Sequence, residues 1–515
     1  MFSSLSSKVF NWRVLLVLLL ILGAGLRFVS ITVPPLDFHP VRQLRNLIVA
    51  RSFYYQLIPN PDPQKAALAK AFYNAVGQYE PPITESITAW TYTWTGGENI
   101  AVPRVYETLF WLLAGLALFD LARRIASPTS ALIALAYYLV LPFAVQASRS
   151  FQPDPLMTSS FIIGIYFLYR WSTPLFPPQI PKEFGEGDRR PGGADWKWAI
   201  LAGVFIGFAV LVKIVIVFFV IGAAIAAVLS TLGLRFWKSG QVWVMMVLMA
   251  IPAFIYYILG HPGRSDEYFF AWTVDLIKLI TTTSFYAHWL GFIGSLFGLT
   301  ILFLSIAGVF LAPPRLRWML IGIWIGYFIY GLTLPFQMYT HSYYHIQLIP
   351  IVALGLVPII EMVAVRVSGE TRWLKAALIA IVVFVIGYQA WIARSDLVAQ
   401  AADYNREPAY WENMAKAIPT NANLIGLTQD YGYRLMYYGW RKIVLWPYVN
   451  GLTQAKGTSV NAQAKFSELV AGRDYFLVSA SNQLDAQPEL KKILDGYTIA
   501  AQGDGFVLYD LHKPK

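Results

Sequence analysis

The chain contains no cysteine, so disulfides, thiolate nucleophiles and cysteine-ligated metals are excluded. It is also short of charge. Asp, Glu, Lys and Arg make up 13% of its 515 residues, about half the share of an ordinary soluble domain. No Gly-rich phosphate-binding fingerprint occurs in residues 394–515, so no catalytic role is expected there, and the lack of an internal repeat weakens an inverted-repeat transporter. Acidic residues are in the minority, 29 against 40 basic ones, giving a net charge of +11. The cations sit mainly in short segments between apolar runs, so they read as membrane-topology signals, and no nucleic-acid partner is expected.

What is abundant is apolar: 57% of residues are hydrophobic, 16% are aromatic and mean hydropathy is +0.51. Lipid must solvate most of such a chain, and its 18 Trp suit the two membrane interfaces. Runs of spanning length fall near 12 to 32, 104 to 122, 128 to 147, 155 to 171, 241 to 260, 288 to 311, 318 to 334, 347 to 365 and 374 to 393. Lys8 and Arg13 precede the first run as they would a signal peptide. No small-residue cleavage pattern precedes Pro34 and Pro35, however, so a transmembrane helix is expected there. The stretch 198 to 232 would be about 50 Å long as one helix, too long for a hydrocarbon core of about 30 Å, and two short spans turning near Lys213 are predicted.

Counting that stretch as two spans places Lys8 and Arg13, Arg123 and Arg124, Lys182 with Arg189 and Arg190, Arg235 and Lys238, Arg315 and Arg317, and Arg366 with Arg372 and Lys375 on one side. That side is the cytoplasm by the positive-inside rule. The expectation is a multi-pass protein of the cell membrane with about eleven transmembrane helices, a cytoplasmic amino terminus and an extracytoplasmic carboxyl-terminal domain. Within a transmembrane domain over 1–393, the long outer loop 33–103 carries patterns at 40 to 58 and 63 to 76 expected to be amphipathic surface helices. Cytoplasmic residues 173 to 196 read as a flexible loop. Residues 394–515 alternate strand-like runs with helical patterns and predict a small α/β domain.

Charges beside a bilayer are costly unless paired or functional, so the few on the outer side are informative. Asp37 lies just past the first span, where a carboxylate can take a proton from an acceptor hydroxyl or can cap the following helix. Asp154 heads the fourth span in a short turn with Arg149 and Gln152, again as a functional acid or an N-cap ahead of Pro155. Glu80 precedes Pro81 and Pro82, which stiffen the backbone and can aim its side chain. Lys213 is flanked by apolar residues from Phe208 to Val220 and needs either an anion or a route to water. With Arg42 and Arg149 it could clamp a phosphate leaving group. The loop Tyr339 to Gln347 carries His341, Tyr343, Tyr344 and His345; sugar or phosphate hydrogen bonding is expected there, and no dedicated metal or cofactor.

In order and sidedness these elements resemble the GT-C superfamily of membrane glycosyltransferases, in particular the branch of protein O-mannosyltransferases and lipid A aminoarabinose transferases. The matching features are Asp37 after the first span, the long first outer loop, Glu80-Pro81-Pro82, Asp154-Pro155, a Gly-rich span ending in Lys (Gly203, Gly207, Lys213) and a Tyr-Tyr loop before a late span. Phe38 and His39 stand where many relatives carry a second acid. The resemblance implies a polyprenyl-phosphate sugar donor and a hydroxyl acceptor on a glycan, lipid or protein, joined in one inverting displacement. It assigns Asp37 as base and Asp154 or Glu80 to orient the acceptor. Arg42, Arg149, Lys213, Tyr343, Tyr344 and His345 would bind the donor, with His39, Gln43, Gln152 and His341 lining the substrate site. A transporter or lipid flippase is the rival from another class, but it would need more polar groups within the spans than Arg27, Glu107, Asp120 and Lys213 provide.

Overall fold

The computed structural model describes residues 11–77, 79–173, 195–260, 270–457 and 461–515. Lys8, Lys182, Arg189, Arg190 and most of the loop 173 to 196 lie outside the described residues. The chain divides into two compact units. One comprises residues up to Val29, Tyr79–Pro81 and Arg104–Leu397; the other comprises Ser30–Gln78, Pro82–Pro103 and Val398–Lys515.

In the first unit every predicted span is helical. Among the described residues, six helices are long and apolar enough to cross a membrane, or up to eight if each of two bent pairs is one span. The other three predicted spans are the helices Trp12–Phe28, Pro153–Ser172 and Trp196–Val212, the first and last of them with 17 residues. The run 288 to 311 is not the single span expected: Thr283–Phe297 and Leu299–Leu311 meet at 93°, and Gly298 turns the corner at φ +80. A Cβ strains that left-handed backbone, which is why glycine sits there. Pro142 breaks the run 128 to 147 by 61°, since it supplies no amide hydrogen to continue the ladder.

The helix Trp196–Val212 ends at Lys213, whose backbone is extended, and restarts after the 3-10 turn Ile214–Ile216 as Val217–Leu232. The break predicted at Lys213 is therefore present. Both halves touch Pro153–Ser172, but the first packs chiefly against that helix and Gly240–Ala253 and the second chiefly against Pro314–Thr333. The second packing is backbone on backbone, because a Cβ on Gly222 would lie 2.0 Å from the Gly322 carbonyl oxygen. In lipid, where burial gives helices no extra drive to associate, such small-residue contact supplies the close packing.

The second unit is built on a five-stranded sheet of order β2-β1-β3-β5-β4, with β1 Leu424–Leu427, β2 Ile443–Leu445, β3 Tyr475–Val478, β4 Tyr497–Gly503 and β5 Phe506–Pro514. β1 pairs in parallel with β2 and β3, while β5 is antiparallel to β3 and β4. All five strands fall on strand-like runs of the sequence, at 423 to 428, 442 to 447, 475 to 480, 497 to 502 and 506 to 511. Alternate residues feed two cores, Leu424, Leu477 and Leu508 on one face and Ile425, Phe476 and Tyr509 on the other.

The first of those cores also contains Ile48, Val49, Phe72 and Val76, from the loop helices Pro40–Leu57 and Pro63–Ala75. Against the expectation of an amphipathic surface helix, ten consecutive residues of Pro40–Leu57, Gln43 to Ser52, are buried. Two of its cations, Arg45 and Arg51, are buried as ion pairs. Arg45 faces Glu85 and donates to the Gly77 carbonyl, and Arg51 meets Glu98 at 2.8 Å. The loop and the carboxyl-terminal segment thus share one core.

Candidate active site

The candidate residues divide between the units. Asp37, His39, Arg42 and Gln43 belong to the sheet-containing unit, and Glu80, Arg149, Gln152, Asp154, Lys213, His341, Tyr343, Tyr344 and His345 to the helical one.

In the sheet-containing unit, Asp37 is 8% exposed, and its Oδ1 accepts from Gln43 Nε2 at 3.1 Å. The same amide donates to the Phe38 carbonyl at 2.7 Å and so holds the bend onto which the carboxylate is set. The cap of Pro40–Leu57 is His39, in left-handed conformation and without a side-chain cap bond. The helix-capping reading of Asp37 does not hold. Arg42 sits one turn into that helix.

In the helical unit, Gln152 is the N-cap of Pro153–Ser172 and Asp154 lies in its first turn, so Asp154 is not the N-cap either. Its carboxylate benefits from the helix N-terminus. It forms an ion pair with Lys213, Nζ to Oδ1 at 2.7 Å, with both side chains almost wholly buried. Lys213 reaches it because the helical ladder stops at that residue, allowing an extended backbone to turn the side chain across. The rings of Tyr343 and Tyr344 lie 4.8 and 5.2 Å from the ammonium, within cation–π range, and Tyr330 stacks on Tyr344. Glu80 stands at the bend before Pro81.

Hydrogen-bonding capacity is left over here. Asp154 Oδ2, Gln152 Oε1, Thr158 Oγ1 and Ser159 Oγ are buried and have no partner among the described residues, although buried polar groups are nearly always paired. Four such atoms at the head of one helix make it a place where hydroxyls or a phosphate can be received.

The remaining residues frame this head. Arg149 donates to the Val29 carbonyl at 2.5 Å, and Gln152 Nε2 donates to Ser150 Oγ at 2.7 Å. Arg27, noted from the sequence only as a charge within a span, clamps the broken helix by donating to Ser148 Oγ and to the carbonyls of Gly23 and Leu139. His341 pairs through Nδ1 with Thr340 Oγ1 at 2.7 Å.

His345 corrects the expectation of a donor ligand: it is fully buried, and both ring nitrogens already have protein partners, Tyr327 and the Met338 carbonyl. It has no nitrogen left for a phosphate, and with His341 it makes no metal pair. No cluster of three or more His, Asp or Glu able to hold a metal occurs among the described residues. Tyr327, Tyr330 and Trp289 were missed because nothing in their local pattern separates them from ordinary span aromatics.

Residues 17–266 match the family model described as dolichyl-phosphate-mannose-protein mannosyltransferase. No curated protein matches the chain. Among solved structures, ArnT from Cupriavidus metallidurans in the apo state is 16% identical with a TM-score of 0.59, covering 98% of each chain. The same protein bound to undecaprenyl phosphate is 15% identical with a TM-score of 0.57, over 96% of this chain and 97% of that one. The archaeal oligosaccharyltransferase AglB from Archaeoglobus fulgidus, in complex with an inhibitory peptide and a dolichol-phosphate, is 13% identical with a TM-score of 0.53, over 95% of this chain and 72% of that one. With a family model over just under half of the chain and a likeness at 13–16% identity over nearly its whole length, this chain has the fold of ArnT and AglB.

Proposed function

We propose that the protein transfers a sugar from a polyprenyl-phosphate donor to a hydroxyl acceptor on the outer face of the cell membrane, with inversion at the anomeric carbon. One observation carries the reading. A buried ammonium and carboxylate pair beside two tyrosines, Lys213 from the break after Trp196–Val212 and Asp154 from the head of Pro153–Ser172, with acceptor atoms to spare. A buried ion pair is poor value for stability alone, since apolar residues of like volume often serve as well. The two ArnT structures and AglB support the donor class, because the former binds undecaprenyl phosphate and the latter a dolichol-phosphate.

In this reading Asp37 takes the proton of the acceptor hydroxyl as its oxygen bonds to the anomeric carbon. The bond from that carbon to the phosphate oxygen breaks, and the electron pair leaves with the phosphate. Lys213, Arg149 and Arg42 stabilise the charge that develops there, while Tyr343 and Tyr344 pack beside it. Phosphate is a good leaving group, so no general acid is needed. Asp154 sets the direction of Lys213 and offers its second oxygen to the acceptor, and Glu80 orients the acceptor from the Pro-Pro bend. His39, Gln43, Gln152 and His341 line the substrate path.

The test is sugar transfer from polyprenyl-phosphate donors by membranes carrying Asp37→Asn or Asp154→Asn. A fall of about 10²-fold or more in each is expected at unchanged protein level, the usual value of a positioned acid or base. Full activity in both removes the mechanism. Because the chain has no cysteine, paired cysteines at positions 37 and 154 can be spin-labelled to measure their separation. A separation too large for one substrate would also end it.

A further inference from the structure

We infer that His345 is a positioning residue, and that a hydrogen-bonded chain Trp289–Tyr327–His345, seated on Gly331, sets the place of Tyr343 and Tyr344 over Lys213. The inference rests on the function proposed above and adds three residues to it.

The direction of every bond in the chain is determined by chemistry. The Met338 carbonyl can only accept, so His345 Nε2, 3.1 Å away, carries the hydrogen. In the neutral ring Nδ1 is then an acceptor and receives the Tyr327 hydroxyl hydrogen at 3.1 Å. An indole N–H can only donate, and that of Trp289 supplies the Tyr327 oxygen at 2.8 Å. No donor is wasted and no acceptor is contested. All three side chains are buried.

The chain has a seat and a load. A Cβ on Gly331 would lie 2.0 Å from Trp289 Cη2, so the indole rests on bare backbone that no other residue provides. One helix, Pro314–Thr333, carries Tyr327, Gly331 and Tyr330, whose ring stacks on Tyr344 at 6.1 Å. The load is the 3-10 turn Ser342–His345: fixing the imidazole at its end fixes the two preceding rings, which stand 4.8 and 5.2 Å from Lys213 Nζ. Such a turn is too short to hold its own geometry.

The test measures binding of undecaprenyl phosphate, together with kcat and KM for the sugar donor, on the full chain in nanodiscs. Tyr327→Phe keeps the ring and removes one hydrogen bond. It is expected to weaken lipid phosphate binding and raise donor KM about tenfold, with kcat within about twofold. His345→Leu should do the same or more. His345→Asn, whose amide oxygen can accept from Tyr327, should recover part of the loss. Trp289→Phe serves if Tyr327→Phe fails to fold. Wild-type binding by Tyr327→Phe alongside complete loss in His345→Leu would mean that His345 touches the phosphate itself, and the inference falls. No change in either variant also overturns it. A wild-type protein that binds no lipid phosphate removes the proposed function, and the positioning role with it.

Discussion

Arg51–Glu98 in the sheet-containing unit and Lys213–Asp154 in the helical one are both buried ion pairs, and they are finished differently. In the sheet-containing unit Arg51 meets both oxygens of Glu98 at 2.8 and 3.0 Å, donates to the Tyr437 carbonyl, and lies between the rings of Tyr437 and Trp440. Tyr437 closes the circle by donating to Glu98 Oε2. Burial pulls the Arg51 guanidinium down, but Glu98 and Tyr437 outweigh it and hold its pKa above the ordinary value. In the helical unit Asp154 gives one oxygen to Lys213 and leaves the other without a partner. A pair saturated by its surroundings ties segments distant in sequence together. A pair that keeps an acceptor in reserve has bonding capacity for a substrate, at a desolvation cost that folding alone does not explain.

That contrast can be broken in four ways. The largest effect is expected from replacing both charges of the helical unit, Asp154→Leu with Lys213→Met: transfer should fall more than about 10³-fold, while the unfolding temperature stays level or rises, because apolar substitutes often replace a buried pair without loss. A collapse in stability with no specific loss of transfer would make this pair structural like the other.

Glu98→Ala reverses the pattern. It leaves Arg51 buried without its carboxylate and should cost about 3–5 kcal/mol of stability in the sheet-containing unit, read by denaturation, with transfer per folded molecule within about twofold. A smaller effect is expected from Gly331→Ala, where overpacking against Trp289 should cost about 1–3 kcal/mol and raise donor KM more than it lowers kcat.

The smallest concerns a half-buried acid, Asp474. The Asn423 backbone N–H and His512 hold its carboxyl below the ordinary range. A depressed folded pKa gives stability that is present above the unfolded value near 3.9 and lost as pH falls through the folded one. Asp474→Asn should therefore lower the midpoint by only about 1–2 °C near neutrality and flatten the decline below about pH 4.

Much of this was legible in the residue order. Lys213 marks the helix break because an ammonium amid apolar residues has to end a span or find an anion, and it does both. The five strands were legible because short β-branched runs between turn residues have few other uses. The loop helix Pro40–Leu57 was misread, since Arg45 and Arg51 spaced among aromatics look the same facing a membrane as facing Glu85 and Glu98. His345 was misread for a related reason: sequence shows that a histidine is present, and only its neighbours show whether its nitrogens are already used.

By itself the sequence determined that much of the chain is apolar helix of spanning length, that one of these helices breaks at Lys213, and that a small α/β domain follows. These follow from composition and local pattern, which act over a few turns of backbone. The tertiary structure alone decided that the long loop shares a core with the carboxyl-terminal strands, that Asp154 pairs with Lys213 and Arg51 with Glu98, and that Trp289, Tyr327 and His345 form one chain. Those are contacts between residues far apart in sequence, chosen by packing and by the need of each buried polar group to find a partner, and no local pattern records which partner it finds.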